Sequence, residues 1–236
     1  MDRRRGGVRG CVGDRYGRGS RRGGHVQTDH AGDDVDETRH GADSMPPMAA
    51  SLNLTIPGGE GALPYHPYFC EENAYLACER FAGLRRGAAM LFIFGTGMYV
   101  PVAEQRAGGS SGVVHWDYHV VPLLHEGDDW LVLDPDSRLT SPAPIADYLD
   151  ASIPAPDATR FRLVPWRVAS ERFGSDRSHM RRADGTWREP PPPWPMIHPE
   201  RRALAACLSR APTPLGDILA GPDALQSRLI RAAGIT

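Results

Sequence analysis

Lysine is missing from this 236-residue chain, so all 27 of its basic residues are arginine. Set against 29 carboxylates they leave a formal net charge of −2. That balance excludes a global field drawing the protein to nucleic acid or to an anionic membrane. An all-arginine complement reads as the coding bias of a GC-rich genome. Cysteine is scarce: Cys11, Cys70, Cys78 and Cys207 are scattered and form no C-x-x-C pair. This excludes a disulfide scaffold and gives no spacing for a structural zinc site. It fits reduced thiols in a cytoplasmic protein. No apolar run approaches the roughly 18–20 residues that a spanning helix needs. The charged start leads to no apolar stretch of the kind that makes a secretory signal. What is present, 41% hydrophobic and 24% charged residues, is the composition of a globular domain with a sizeable core.

The composition changes near residue 50. Residues 1–44 are rich in arginine and glycine, with eight arginines in the first 22 positions, and nearly lack aliphatic residues. They cannot bury enough apolar area to offset the entropy of ordering, so 1–50 reads as a disordered extension. A start codon at Met45 or Met48 would remove it altogether. The RGG-like composition suggests a nucleic-acid-binding arm, but Asp33, Asp34, Asp36 and Glu37 offset much of its charge. The bland reading is preferred, and no nucleic-acid partner is expected. Residues 51–236 are expected to form a single catalytic domain.

Within that domain, CEENAYLACERFAGL (70–84) has the apolar period of an amphipathic helix ended by glycine. AMLFIF (89–94) and MYVPVAEQ (98–105), joined by GTG, read as one hairpin. VVHWDYHVVPLL and WLVLD, joined across HEGDD, read as a second. FRLVPW (161–166) is a further strand, and 200–210 and 223–233 are helix candidates. One early helix, antiparallel hairpins and late helices predict an α+β fold.

The second hairpin holds an anomaly. Alternation along WDYHVV (116–121) places Asp117 and His119 on one side of what otherwise reads as a core strand, and Trp116 and Tyr118 on the other. A loop centred on Glu126–Gly127 sets His119 opposite Asp134, close enough for the carboxylate to accept an imidazole N–H. Cys70 opens a helix, where the macrodipole and unpaired N–H groups favour a thiolate. Cys70, His119 and Asp134 can thus supply a nucleophile, a general acid/base and an orienting carboxylate. Spacing alone leaves the ordinary alternative open, with Cys70 a buried helix residue and His119 a satisfied sheet histidine.

Five motifs bear on the choice: FCEEN (69–73), WDYHVV (116–121), LDPDS (133–137), FGSDRSHM (173–180) and WREPPPPWP (187–195). In this order and spacing the chain resembles the protein N-terminal glutamine amidohydrolases, from about Tyr65 to Pro195, with a weaker continuation at TPLGDILA. The resemblance implies a monomer with a papain-like or transglutaminase-like α+β fold, its antiparallel sheet backing a nucleophile at a helix N-terminus. It implies hydrolysis of the side-chain amide of an N-terminal glutamine to glutamate and ammonia, without cofactor or metal. The partners would be proteins or peptides with a free N-terminal glutamine, and no membrane. The catalytic positions carry over onto Cys70, His119 and Asp134.

The substrate's α-ammonium needs an anionic partner. Glu71, Glu72, Asp117 and Asp176 are the candidates, and the sequence does not choose among them. Glu71 and Glu72 would suit the first turn of any helix, and Asp176 could cap a turn. The backbone N–H of Cys70 is the natural first oxyanion donor, and no second donor is identifiable. EPPPPWP fits a ligand for proline-binding domains or a rigid strap over the domain, and its place beside SDRSHM favours the strap. Two other functions remain: a related cysteine enzyme acting on internal residues, and a module that binds N-termini without turnover.

Overall fold

The computed structural model describes residues 62–84 and 86–233. These belong to one compact unit. The extension expected over 1–50 lies outside the described residues.

The first element is α1 (Cys70–Gly83), with Glu71 and Glu72 in its first turn and Arg80 in its last. That charge order complements the helix dipole. Its buried stripe of Ala74, Ala77, Cys78 and Phe81 packs on the sheet, and Leu84 N–H closes the last turn onto the Arg80 and Phe81 carbonyls. The chain then enters β1 (Gly87–Gly95), which is buried throughout except at Gly87.

The strands β2 (Val100–Val102) and β3 (Val114–Trp116) pair with each other in a separate two-stranded sheet. The main sheet continues with β4 (His119–Glu126), β5 (Asp129–Val132) and β6 (Ala143–Pro144). After α2 (Ile145–Ser152), β7 (Thr159–Pro165) returns along the other side of β1. The remaining elements are α3 (Trp166–Arg172), α4 (Leu204–Cys207), β8 (Ile218–Ala220) and α5 (Gly221–Ala233). The six strands run β6-β5-β4-β1-β7-β8, every neighbouring pair antiparallel. The class is α+β.

Three local expectations need correction. β1 does not pair with the segment after GTG. It sits at the centre of the sheet between β4 and β7, as a continuous apolar run buried on both faces requires. The chain does fold back at Gly95, where an added Cβ would lie 2.2 Å from the Tyr99 carbonyl oxygen. Thr96 N–H, however, is taken by the Ala158 carbonyl at 2.8 Å, and the returning residues pair with β3. Second, VVHWDYHVVPLL is two strands, broken at Asp117–Tyr118. The break turns the Trp116 ring onto His119, with centroids 5.7 Å apart and planes 14° from parallel. Third, the β4–β5 register pairs Leu123 with Val132 and Glu126 with Asp129. The turn is therefore at Gly127–Asp128, and Asp134 lies beyond the end of β5 rather than across from His119. In the late region, 200–210 holds only a 3₁₀ turn and the short α4, while α5 covers the second expected helix.

The C-terminal segment is held to the sheet by Arg162, which is fully buried on β7. Its guanidinium donates to the carbonyls of Cys207 (2.9 Å), Ser209 (2.6 Å), Ala211 (2.9 Å) and Gly216, and to the Thr213 hydroxyl (2.7 Å). Burial lowers its pKa.

Candidate active site

Three elements converge on Cys70. The first is α1, which begins at Cys70 itself, with Glu72 and Asn73 N–H bonded to the Phe69 carbonyl at 3.1 and 3.0 Å. Asn73 clamps the preceding segment: its side chain accepts from His66 N–H and donates to the His66 carbonyl, both at 2.9 Å. The second is β4, whose first residue is His119. The third is the loop after β5, which carries Asp134. All three side chains are nearly buried, with exposures of 5%, 1% and 3%.

His119 is hydrogen-bonded to Cys70 and, through Nε2, to Asp134 Oδ2 at 3.0 Å. The same carboxylate oxygen accepts from Gln105 Nε2 at 3.0 Å and from the Tyr148 hydroxyl at 2.8 Å. Its other oxygen accepts from Asp136 N–H at 3.0 Å. Four donors on one carboxylate fix its orientation and favour its ionised form.

The titration behaviour follows from this geometry. Burial works against an imidazolium at His119, but the Asp134 charge and hydrogen bond, with Cys70 adding to them, hold its pKa well above 6.5. Burial would also raise Asp134. The His119 charge and hydrogen bond, then those from Gln105 and Tyr148, bring it below the ordinary carboxylate value. Asp136 moves the other way, raised by burial and by the neighbouring Asp134 charge, and accepts from the Tyr65 hydroxyl. The arrangement thus favours the cationic form of His119, between the Asp134 carboxylate and the Cys70 sulfur.

Among the described residues, the group with metal-ligand atoms close together is His119, Asp134 and Asp136, all within 4.8 Å. The Asp134 oxygen already receives three donors and Asp136 receives Tyr65. Those donors would have to turn away before a cation could be held there.

A model of the family described as N-terminal glutamine amidase matches residues 65–212. The match takes in more than half of the chain, including Cys70, His119 and Asp134. The chain belongs to this family. It is 35% identical over 147 residues to the protein N-terminal glutamine amidohydrolase of Arabidopsis thaliana, a stretch covering 56% of this chain and 66% of the plant protein. It is 34% identical over 148 residues to that of Homo sapiens (58% of this chain, 72% of the human protein). With the Drosophila melanogaster protein it shares 36% identity over 148 residues, covering 56% and 71%. The chain thus spans about two thirds of the plant relative's length and slightly more of the animal ones.

The four acidic candidates are placed very differently in this chain. Glu71 is fully buried beside Cys70, its Oε2 accepting from the Cys70 thiol at 3.8 Å and from the Tyr118 hydroxyl at 3.4 Å. Its Oε1 lies 3.5 Å from the Ser175 hydroxyl and 3.2 Å from His179 Nε2. Glu72 is equally buried but committed elsewhere: Arg177 donates to both its oxygens at 2.8 Å, and the Trp194 indole to Oε2 at 2.8 Å. Asp176 accepts from Ser178 N–H at 3.0 Å and lies 3.6 Å from Arg202, so it caps a turn. Asp117 is half-buried at the β3–β4 break.

The proline-rich run is a strap over the start of α1. His66 Nε2 donates to the Pro190 carbonyl at 2.8 Å, and Arg177 to the Trp194 carbonyl at 2.9 Å. Trp187 instead packs under the Arg181 guanidinium, 3.8 Å from its ring centroid.

Gln105, Tyr148, Asp136, Tyr65, Ser175 and His179 escaped the sequence reading. The first two are isolated polar residues that only the fold brings to Asp134. Ser175 and His179 lie within FGSDRSHM, and their neighbour Asp176 attracted attention because it is acidic.

Proposed function

We propose that the protein hydrolyses the side-chain amide of an N-terminal glutamine on proteins or peptides, giving N-terminal glutamate and ammonia. The observation that carries this reading is the Cys70–His119–Asp134 hydrogen-bonded chain within the region that matches the N-terminal glutamine amidase family. Cys70 Sγ, as the thiolate, attacks the glutamine δ-carbon. The carbonyl π pair moves to oxygen, which meets the N–H groups at the start of α1, that of Cys70 first. The imidazolium of His119 protonates the departing nitrogen, ammonia leaves and a thioester remains. Neutral His119 then takes a proton from water, hydroxide adds to the thioester, and the tetrahedral intermediate collapses to the carboxylic acid and thiolate, the acid then losing its proton to the released ammonia through solvent. Asp134 keeps the imidazole oriented and stabilises its cation.

Of the four acidic candidates, Glu71 is our choice of partner for the α-ammonium, because its carboxylate stands beside Cys70 Sγ while Glu72 is saturated by Arg177 and Trp194. A nucleophile at a helix start, facing a histidine on an antiparallel strand, supports the papain-like or transglutaminase-like reading of the fold. Among the described residues no helix is long and apolar enough to cross a membrane. We further propose a cytoplasmic monomer that needs neither cofactor nor metal.

The test is mass spectrometry and ammonia release with peptides bearing N-terminal Gln, N-terminal Asn, acetyl-Gln or internal Gln. A site built to pair the ammonium should reject the acetylated and internal residues by about 10⁴–10⁵. Asparagine is one methylene shorter, and misplacing its reacting carbon by about 1 Å should remove a factor of about 100. Conversion of internal glutamine at a similar rate would overturn the assignment in favour of a general deamidase or transglutaminase. Binding of the N-terminal glutamine peptide without ammonia release would instead leave a recognition module.

A further inference from the structure

A second groove lies at the other end of β4 from the catalytic histidine. His125 is six residues along the strand from His119, about 20 Å at the usual rise. The groove has a volume of about 420 Å³, within the roughly 300–1,000 Å³ of small-molecule sites. Its lining is of two kinds. Ala89, Leu163 and Pro165 supply an apolar floor, and Trp130 and Trp166 two indole rings. Arg86, Arg167 and Arg228, brought together from the start of β1, from α3 and from α5, supply three guanidinium groups, with His125 between the indole of Trp130 and Gly87. The carboxylate paired with this set is Glu126, 3.2 Å from Arg86 Nη1, so the groove keeps a positive excess.

Two polar atoms of the lining are also withdrawn from solvent without a hydrogen-bond partner among the described residues: His125 Nε2 and Trp130 Nε1. Buried polar groups without partners are rare, and each calls for an explanation. His125 and Trp130 face each other as a cross-strand pair, their ring centroids 4.7 Å apart, so these atoms belong to neighbouring rings. Gly87 opposite His125 leaves the approach open, since a Cβ there would stand 2.9 Å from the His125 Cβ. Nothing in the amidase chemistry uses these residues.

We propose that this groove is a second binding site, for a small molecule carrying an oxyanion on a planar aromatic body. The arginines would pair the oxyanion, in the bidentate manner guanidinium groups favour. The indoles and the apolar floor would cover the ring. Phosphate and carboxylate share this chemistry, and the test separates them.

The experiment is calorimetric titration of the full chain with AMP and with indole-3-acetate, adenosine and inorganic phosphate serving as half-ligand controls. Tryptophan fluorescence is followed in parallel. Saturable binding of AMP or indole-3-acetate below about 1 mM, weaker for either half-ligand, is the expected result, and the tighter of the two identifies the oxyanion. Arg167→Ala combined with Arg228→Ala should weaken it about tenfold or more, the usual loss for a hydrogen bond to a charged group. Trp130→Phe should weaken it while removing part of the fluorescence change. Cys70→Ala should bind as the parent protein does, because the catalytic centre lies at the far end of the strand. Failure of both anions to bind, or binding unaltered by the double arginine variant in a protein with unchanged melting temperature, overturns the proposal. Neither result bears on glutamine hydrolysis, which is read separately as ammonia release.

Discussion

Replacing Asp134 by asparagine tests the catalytic reading at its most informative point. In the parent protein Oδ2 receives donors from His119, Gln105 and Tyr148, and Oδ1 receives Asp136 N–H. An asparagine keeps the shape but must turn its NH₂ toward either the three donors or the one. The better choice sets it against Asp136 N–H, so at least one donor–donor contact is created in a buried site. The larger effect is electrical. His119 owes its raised pKa to the Asp134 charge and hydrogen bond working against burial. With that charge gone, burial dominates and the pKa falls. The imidazolium that must protonate the leaving nitrogen becomes scarce near neutrality, and the tautomer is no longer fixed. In the serine-protease triad the same change costs about 10⁴ in turnover, and about three to four powers of ten are expected here. The pH profile should change with it. Activity that needs the imidazolium falls as pH rises through the His119 pKa, so the basic limb should lie well above pH 6.5 in the parent and move to lower pH in Asp134→Asn. The stability sign follows from the same shifts. The raised His119 pKa contributes stability fully present below about pH 6.5 and lost as pH rises through its folded value. The lowered Asp134 pKa contributes stability present above about pH 3.8 and lost on acidification. Both describe one interaction, which is therefore complete only between about pH 4 and 6.5. Steady-state ammonia release from pH 5 to 10, with melting curves at each pH, is the assay. A variant within tenfold of the parent, with its basic limb unmoved, would refute the role given to Asp134.

Cys70→Ala should retain the fold and lose turnover, whereas Cys78→Ala, whose thiol donates to the Ala89 carbonyl at 3.2 Å, should keep turnover and lose about 1–2 kcal/mol in denaturant unfolding. Glu71→Gln should lower kcat/KM for N-terminal glutamine peptides by about 10–100-fold, the value of one hydrogen bond to a charged group, in the same ammonia assay. Glu72→Gln should act on stability instead, by about 3–5 kcal/mol, because it leaves the Arg177 charge buried without its partner; urea unfolding measures it. Arg162→Met should melt earlier and expose the 207–216 segment to proteolysis, since five acceptors lose their donor at once.

The parts of this fold that could be read in the sequence are those whose signal is local. The α1 boundaries follow from an apolar stripe and a terminal glycine, and β7 follows from FRLVPW. The hairpin expected between 89 and 105 does not form, because closeness along the chain does not decide the partner of β1. AMLFIF has no polar face, and a strand buried on both faces needs neighbours on both sides, which here come from 30 and 70 residues away. The β4–β5 register was misjudged by two residues, and an even slip preserves which face each side chain occupies. His119 and Asp134 therefore still meet, although Asp134 arrives from the loop beyond β5. Gln105 and Tyr148 were illegible for another reason. A polar residue that serves a carboxylate 29 or 14 positions away leaves no periodic trace.

Glu71 and Glu72 show why residue type alone could not assign the substrate contact. Both sit in the first turn of α1, both are fully buried, and both gain the same benefit from the helix dipole. Adjacent helical residues are rotated by about 100° around the axis, so their carboxylates enter different surroundings. Glu72 turns into the strap, where a bidentate guanidinium and an indole N–H take up its oxygens. Glu71 turns toward Cys70, where its neighbours are a thiol, a hydroxyl at 3.5 Å and an imidazole at 3.2 Å. Among the described residues no guanidinium is paired with it there. A buried carboxylate is costly without a cation. A substrate ammonium would bring a permanent charge to the same oxygens, within reach of the nucleophile. In the proposed reaction, selectivity for a free N-terminus then has a physical source. An acetylated or internal glutamine would cover Glu71 without supplying the charge, leaving a desolvated carboxylate without the ammonium it would pair.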